Sequence, residues 1–512
     1  MTSPQRWTLF TVCLATFMYL LDITVVNVAL PDIQRELHAS LSDLQWVVDA
    51  YALMLAALLL TAGSLADLLG RRLVFVTGLV LFTCASLLCG LATSPLFLNL
   101  ARGAQGIGGA LMFATSLALL AQEFQGRERG TAFGAWGATT GAAVAVGPLV
   151  GGALTDAFGW EWIFFVNVPI GIATATMVRL RVPESRDPAG KGIDWLGVTT
   201  FSAALFLLVL GLIRGNADGW GSARIVSLFV AAAALLVAFL AVELRGSRPM
   251  LDLSLFRKPA FGGASIAAFT LSAAMFSMFL YITLYIQDIL GFSPLEAGLR
   301  FLPVTLLAFA VAPVAGKLSA QLPIRIFLGG GLLLVCIGLL LMHGVTPSSE
   351  WTALLLGFCV AGVGIGMVNP PLASAAVGVV EPHRSGMASG INSTFRQVGI
   401  ATGIAALGAI FQARIRTEVD DLMAGAPGAS AGRRHALADA VANGGTHQVL
   451  QQIPASARHQ VADVARQAFV SGLNEILIVA AIVAFVGAIL AAALVRSRDF
   501  VVSPAQEQAA AA

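Results

Sequence analysis

Residues 21–31 read LDITVVNVALP and close an apolar stretch that runs from Trp7 to Leu30. Asp22 is the one acidic residue within that stretch. A carboxylate at the centre of a membrane helix costs about 2.5–3.5 kcal/mol on insertion scales. Such a residue is kept where it pairs with another group, carries protons or binds a cation. Taken alone, Asp22 fits either a structural ion pair that clips two helices together or a functional carboxylate.

The rest of the chain places that stretch in a membrane protein. Of 512 residues, 57% are hydrophobic and only 11% are charged, and mean hydropathy is +0.84. Soluble domains carry about 25% charged residues. A net charge of +2 gives no ground for nucleic-acid binding. Lysine occurs only at 191, 258 and 317, and this arginine bias, with abundant Ala and Gly, points to a GC-rich bacterial source. Cys13, Cys84, Cys89, Cys336 and Cys359 all lie in apolar stretches without polar ligands beside them, so they read as small packing residues rather than metal ligands. The first apolar segment has no A-x-A site and reads as a retained helix.

About 20 apolar residues span a bilayer as a helix. Fourteen segments meet that length: 7–30, 45–66, 73–92, 95–121, 130–154, 161–179, 194–213, 222–243, 260–286, 295–316, 325–343, 351–379, 386–411 and 471–495. Alternating them from a cytoplasmic N-terminus gathers most basic loop residues on one side: Arg71 and Arg72, Arg127 and Arg129, Arg179 to Lys191, Arg245 to Lys258, Lys317 and Arg325, Arg384, Arg496 and Arg498. The positive-inside rule then puts both termini in the cytoplasm. The polar stretch 412–470 falls outside as a long loop, with 433–468 patterned weakly as an amphipathic surface helix.

The two ends of the chain repeat at an offset of about 253–258 residues. GTAFG (130–134) returns as GMASG (386–390), GIGG (106–109) as GIGM (364–367), and GSLADLLGRR (63–72) as the worn GKLSAQLPIR (316–325). The offset exceeds what six helices need, and segments 194–213 and 222–243 account for the surplus. The expected all-α architecture is a six-helix half over 1–182, two linking helices within 183–258, and a second six-helix half over 259–512. Two such halves, handling substrate near the midplane between them, describe a major facilitator fold.

Five motifs in order make the resemblance specific: LDITVVNVALP in segment 1, GSLADLLGRR after segment 2, LARGAQGIGGA (100–110) in segment 4, AVGPLVGG (145–152) in segment 5, and GWEWIFFVNVPIG (159–171) leading into segment 6. Over nearly its whole length the sequence resembles the fourteen-helix drug:proton antiporters of the major facilitator superfamily. It departs from their pattern at Ala143, where Gly is usual, and at Glu161, where Arg is usual and the surface charge is reversed. No acidic residue occurs between Leu306 and Ala315, which argues against a second deep carboxylate in segment 10.

Depth ties two of these motifs together. Asp22 lies about 12 Å from the outer end of segment 1, and Arg102 about 10 Å into segment 4, at 1.5 Å per residue. They share a level, so an Asp22–Arg102 pair satisfies both charges and lets Asp22 take up a proton when the site opens; a structural clip predicts the same pairing. In the loop, Asp67 can accept hydrogen bonds from a helix N-terminus and pair with Arg71 or Arg72, while Gly63 and Gly70 permit close approach and a tight turn. The resemblance makes this loop a conformational latch, and Ala320 and Pro323 leave its second-half copy without that chemistry. Gly147 and Pro148 permit a kink in segment 5, and Gly151 and Gly152 close packing; control of proton leak there is what the resemblance implies.

Arg396 and Gln397, about 15–17 Å into segment 13 with Asn392 one turn earlier, read as a polar cavity wall or as structural hydrogen-bonding groups. Met18, Gln105, Met112 and Trp136 are further cavity candidates, and Tyr19, Phe113, Phe276 and Phe279 are aromatic residues that suit an apolar pocket or a packed core. Asp49 reads as interfacial, and Glu296 can pair with Arg300 at i, i+4.

No GxxxxGK[ST] loop is present, since Gly316-Lys317 is followed by Leu318. An ion gradient is the remaining energy source, and one charge crossing 100 mV yields about 2.3 kcal/mol, enough for roughly a 50-fold substrate gradient. The resemblance implies a non-enzymatic, cofactor-free, monomeric antiporter in a bacterial cytoplasmic membrane. It would export small, largely apolar or cationic compounds such as antibiotics or dyes against protons, without ATP. Export of one self-made metabolite fits the same sequence. A non-transporting sensor or scaffold would not need Asp22, Arg102 and Asp67 together.

Overall fold

A computed structural model describes residues 1–186, 192–245, 250–381, 384–424, 430–442, 455–496 and 499–500. The described residues are helical, with no strand among them. Fourteen long helices follow in order: α1 (Ser3–Glu36), α2 (Leu41–Leu69), α3 (Arg71–Gly90), α4 (Pro95–Glu123), α5 (Gly126–Phe158), α6 (Trp162–Arg181) and α7 (Trp195–Asp218). Then come α8 (Ala223–Arg245), α9 (Pro259–Ile289), α10 (Leu302–Leu318), α11 (Ile324–Met342), α12 (Trp351–Gly378), α13 (Ser385–Leu422) and α14 (Ala455–Leu494).

By length and composition, twelve of the described helices can cross a membrane. The apolar runs in α10 (Leu302–Leu318) and α5 (Leu149–Phe158) are shorter. The fourteen segments read from the sequence therefore stand at twelve candidate spans. Exposed Leu96, Leu180, Leu244 and Ile482 give the outer faces the apolar surface that lipid requires.

The helix starts are written locally. Thr2 and Gln5 form a capping box at α1, Ser40 and Asp43 another at α2, and Ser94 caps α4. Gly70 joins α2 to α3 at φ +119°, a conformation that other residues rarely adopt. A side chain there would also meet the Glu184 carboxylate.

The core lies in separate clusters. α1–α6 hold one around Phe75, Phe82, Phe113 and Trp136 and another around Val25, Trp160 and Phe164. A larger one is built mainly by α9–α14. The α7–α8 pair lies alongside α2 and α13: Thr61 and Ser202 hydroxyls are 2.9 Å apart, and Asn216 Nδ2 donates to the Ala405 carbonyl at 3.2 Å.

The stretch expected to be a loop at 412–470 is largely helix where described. α13 continues to Leu422, a short helix spans Ala431–Ala442, and α14 begins at Ala455. Residues 443–454, inside the expected surface helix, lie outside the described residues. The extensions have an apolar side, Ile415, Val419, Leu437, Val441, Ala465 and Phe469, buried together as a cap. Arg416–Asp439 at 3.0 Å and Arg434–Asp420 at 2.7 Å tie its polar side. Glu296 faces the charge of Arg300, as its i, i+4 spacing suggests. Its carboxylate also closes a capping box with Ser293, and Arg300 donates to the Glu296 carbonyl and lies 3.3 Å over the Phe292 ring.

Candidate functional site

Asp22, on α1, is 0% exposed, and side chains from α4 and α6 hold its carboxylate. Arg102 Nη1, on α4, donates to its Oδ2 at 2.6 Å. Gln105 Nε2, one turn further along α4, and Asn167 Nδ2, on α6, donate to Oδ1 at 2.8 and 2.9 Å. Asn167 also donates to Ser86 of α3 at 3.1 Å. Arg102 is 1% exposed and spends its other donors on the Val47 carbonyl at 2.9 Å and Gln105 Oε1 at 2.7 Å, with its guanidinium 4.3 Å from the Tyr51 ring centroid. A buried carboxylate with a cation and two neutral donors has both its charge and its lone pairs matched.

The sequence reading paired Asp22 with Arg102 and treated Gln105 as a cavity wall. Here Gln105 is a ligand of Asp22. Asn167 was not singled out: it lies within GWEWIFFVNVPIG, and an amide in an otherwise apolar helix start was the available signal.

The fifth-helix motif packs against this same segment. A methyl group on Gly147 would run into Thr24, and one on Gly151 would stand 3.1 Å from Val25 Cα, so α5 lies directly on the turn that follows Asp22. Gly152 faces open space and makes no such contact. Helix α5 is continuous through position 148, and the Pro148 side chain lies outside the described residues.

Asp67 joins two distant parts of the chain. Its Oδ1 accepts from Gly386 N–H at 2.9 Å and its Oδ2 from Met387 N–H at 2.8 Å, in the first turn of α13. Arg71 closes on it at 2.8 and 3.1 Å and also donates to Gln122 of α4 at 2.9 Å. The partial positive charge of a helix N-terminus adds to this attraction. Arg72 is not part of the clasp; its guanidinium reaches the Val182 carbonyl, and its backbone N–H meets Glu184, which also accepts from Leu73 N–H.

Glycines bring the helices together around the clasp. Gly63 lies against Gly386 and Gly390, where α2 crosses α13, and Gly316 lies against Gly130 and Gly134, where α10 crosses α5. The loop of each repeat therefore rests on the glycine pair of the other. Arg129 of α5 adds a bond to the Ser374 carbonyl of α12 at 3.4 Å.

The cavity candidates separate. Met18, Met112 and Trp136 are packed in the core of α1–α6, and Trp136 Nε1 donates to Thr16 at 3.1 Å. Phe276 and Phe279 instead line a cavity of about 30 Å³ between α5, α9, α10 and α12, with Thr140, Thr305 and Asn369. Arg396 Nη2 donates to Asn369 Oδ1 at 2.9 Å, while both amide atoms of buried Asn392 have no protein partner. Gln397 is half-buried and meets the Tyr19 hydroxyl across the two sets of helices. Asp49 is half-buried and faces the charge of Arg214.

Comparison with known proteins bears on the family and the fold. The family described as Major Facilitator Superfamily matches residues 12–404. The multidrug resistance protein Stp of Mycobacterium tuberculosis is 35% identical over 487 residues, covering 94% of this chain and 90% of that protein. The tetracenomycin C resistance and export protein of Streptomyces glaucescens is 32% identical over 486 residues, with the same coverage, 94% and 90%. The crystal structure of the human organic anion transporter MFSD10 aligns at a TM-score of 0.61 with 14% identity, over 96% of this chain and all of that one, and shares its fold.

Proposed function

This chain belongs to the Major Facilitator Superfamily, and from that premise we propose that it is a proton-coupled antiporter exporting small, largely apolar or cationic compounds of the antibiotic and dye type. The names of its relatives, a multidrug resistance protein and an antibiotic resistance and export protein, support export of that class. The single observation that carries the coupling is the fully buried Asp22 held by Arg102 at 2.6 Å. Fourteen spans in a bacterial cytoplasmic membrane, as two six-helix halves and a linking pair with both termini inside, complete the reading. On it, the end of the bundle bearing Asp67 is cytoplasmic and closed in this structure.

Asp22 is then the proton carrier. A proton arriving from outside neutralises the carboxylate, removes its attraction for Arg102, and lets α1 and α4 part. Release to the cytoplasm restores the pair. Gly147 and Gly151, seated on Thr24 and Val25, hold α5 against the moving segment. Asp67 latches the cytoplasmic side until the halves rotate, and the chain works as a monomer without cofactor or ATP. The relative named for tetracenomycin C alone favours a second reading, a dedicated exporter of one self-made product.

The test uses proteoliposomes with an imposed pH gradient and ethidium as substrate. Wild type should accumulate ethidium and release protons when it is added. Asp22→Asn should insert and bind ethidium yet show neither gradient-driven uptake nor proton release. Proton release at the wild-type rate in Asp22→Asn would reduce Asp22 to a structural clip.

A further inference from the structure

Two buried arginines in this bundle are treated very differently. Arg102 has a carboxylate, an amide oxygen and a backbone carbonyl. Arg396 is 8% exposed, and its hydrogen bond to protein is the neutral Asn369 oxygen; its Nε has no partner. Among the described residues, no acidic side chain lies within ion-pair distance of it. A cation so buried and so little compensated is costly unless an anion joins it. Around it, Ser389, Asn392 and Ser393 lie on one helical face of α13, seven, four and three residues before it. Asn392 is 2% exposed, and the side-chain polar atoms of all three are buried without partners.

The group adjoins the cavity described above. Asn369, which holds Arg396, lines that cavity opposite Phe276 and Phe279. Phe276 ends a π-turn over Ser272–Phe276, an irregularity that recurs at functional sites. At about 30 Å³ the cavity holds a water or two, whereas ligand pockets run to about 300–1,000 Å³. The cavity therefore has to widen before a drug-sized compound enters.

We propose that Arg396, with Asn369 and Asn392, is an acid-recognition subsite of the transport pathway. It takes compounds whose planar apolar ring system carries a carboxylate or acidic phenol, with the rings against Phe276 and Phe279. The proposal rests on the export reading and adds to it: of two apolar compounds of the same shape, the acid binds more tightly than its neutral isostere.

Anthracene-2-carboxylate and its neutral isostere anthracene-2-carboxamide test this by fluorescence titration of the full chain in lipid nanodiscs. Wild type should bind the acid at least about tenfold more tightly than the amide, as hydrogen bonds to a charged group warrant. In Arg396→Gln the acid-to-amide affinity ratio should fall toward one, and Arg396→Lys should keep part of it. Equal affinities in wild type, or an unchanged ratio in Arg396→Gln, overturn the subsite. Should Arg396→Gln fail to fold, the wild-type ratio and its reduction in Arg396→Lys decide the matter. Gradient-driven ethidium uptake by wild type, run in parallel, keeps the two readings apart: a flat acid-to-amide ratio with uptake intact removes the subsite alone.

Discussion

Helix α2 crosses α13 and helix α10 crosses α5 through the same backbone contact, yet among the described residues only the first crossing carries a carboxylate clasp. Gly63 on Gly386 and Gly390, and Gly316 on Gly130 and Gly134, are repeat-related pairs that meet carbonyl to α-carbon. Four residues beyond Gly63 stands Asp67, buried and bonded to two amides; four beyond Gly316 stands Ala320, exposed. The receiving helices differ too. α13 begins at Ser385, so Gly386 and Met387 N–H groups are unused within the helix, whereas α5 begins at Gly126 and the Gly130 amide already lies past the first turn. Close packing is thus duplicated while the hydrogen-bonding chemistry is not. The half with the carboxylate can hold an access state that the other half only fits.

The strongest way to break this comparison is to fill both crossings. Gly63→Leu and Gly316→Leu each put a side chain onto a carbonyl that has no rotamer to move, so each should cut ethidium transport on the order of 100-fold while the protein still reaches the membrane. Wild-type transport in either variant would remove that crossing from closure. Asp67→Asn should act on one crossing alone. The amide leaves one acceptor for two N–H groups and removes the negative charge that faces Arg71, at about 1.5 kcal/mol or more, so turnover should fall about tenfold. Ethidium affinity in detergent should stay near normal, because a ligand shifts an equilibrium only by its differential affinity. Cysteine accessibility on the two faces, measured after the five free cysteines are replaced, should shift toward the opened cytoplasmic side. Collapse of affinity with unchanged accessibility would place Asp67 in binding or folding instead.

Smaller effects sharpen the same contrast. Glu184 caps α3 through the Arg72 and Leu73 amides, and Glu184→Ala should lower thermal stability by about 1 kcal/mol, the usual cost of a lost helix cap. A melting temperature equal to wild type would show that the α3 start is held otherwise. Least of all should change in Ala320→Asp. The new carboxylate meets solvent and no free amides, so stability should move by less than about 0.5 kcal/mol and turnover by less than twofold. A marked slowing of turnover there would mean that α5 can offer amides after all.

Much of this is legible in the sequence. Opposite charges at equal depth pointed to Asp22 and Arg102, and the loop chemistry of Asp67 and Arg71 pointed to a clasp with a helix start. Which helix start it meets was not legible, because partner choice depends on a crossing more than 300 residues away in sequence. Asn167 was hidden for the same reason: a lone amide declares a role only when another helix brings it a carboxylate. The extensions of α13 and α14 read as a loop in the sequence because their charged residues mask the apolar positions at helical spacing. Met18, Met112 and Trp136 have the same composition in a core as in a cavity, and only packing separates them from Phe276 and Phe279.

Helix α13 runs unbroken for 38 residues, about 57 Å at 1.5 Å per residue. Its first turn receives Asp67, its twelfth residue is Arg396, and its last turns anchor the helical cap through Arg414 to Ser471, Arg416 to Asp439 and Asp420 to Arg434. A rod held at both ends behaves as a lever. Any tilt that frees the first turn must swing the cap by a comparable distance on the opposite face. A spin label on exposed Thr417, paired with one on exposed Leu91 in the turn between α3 and α4, would then read the state of the clasp from outside the bundle, without touching the transport path.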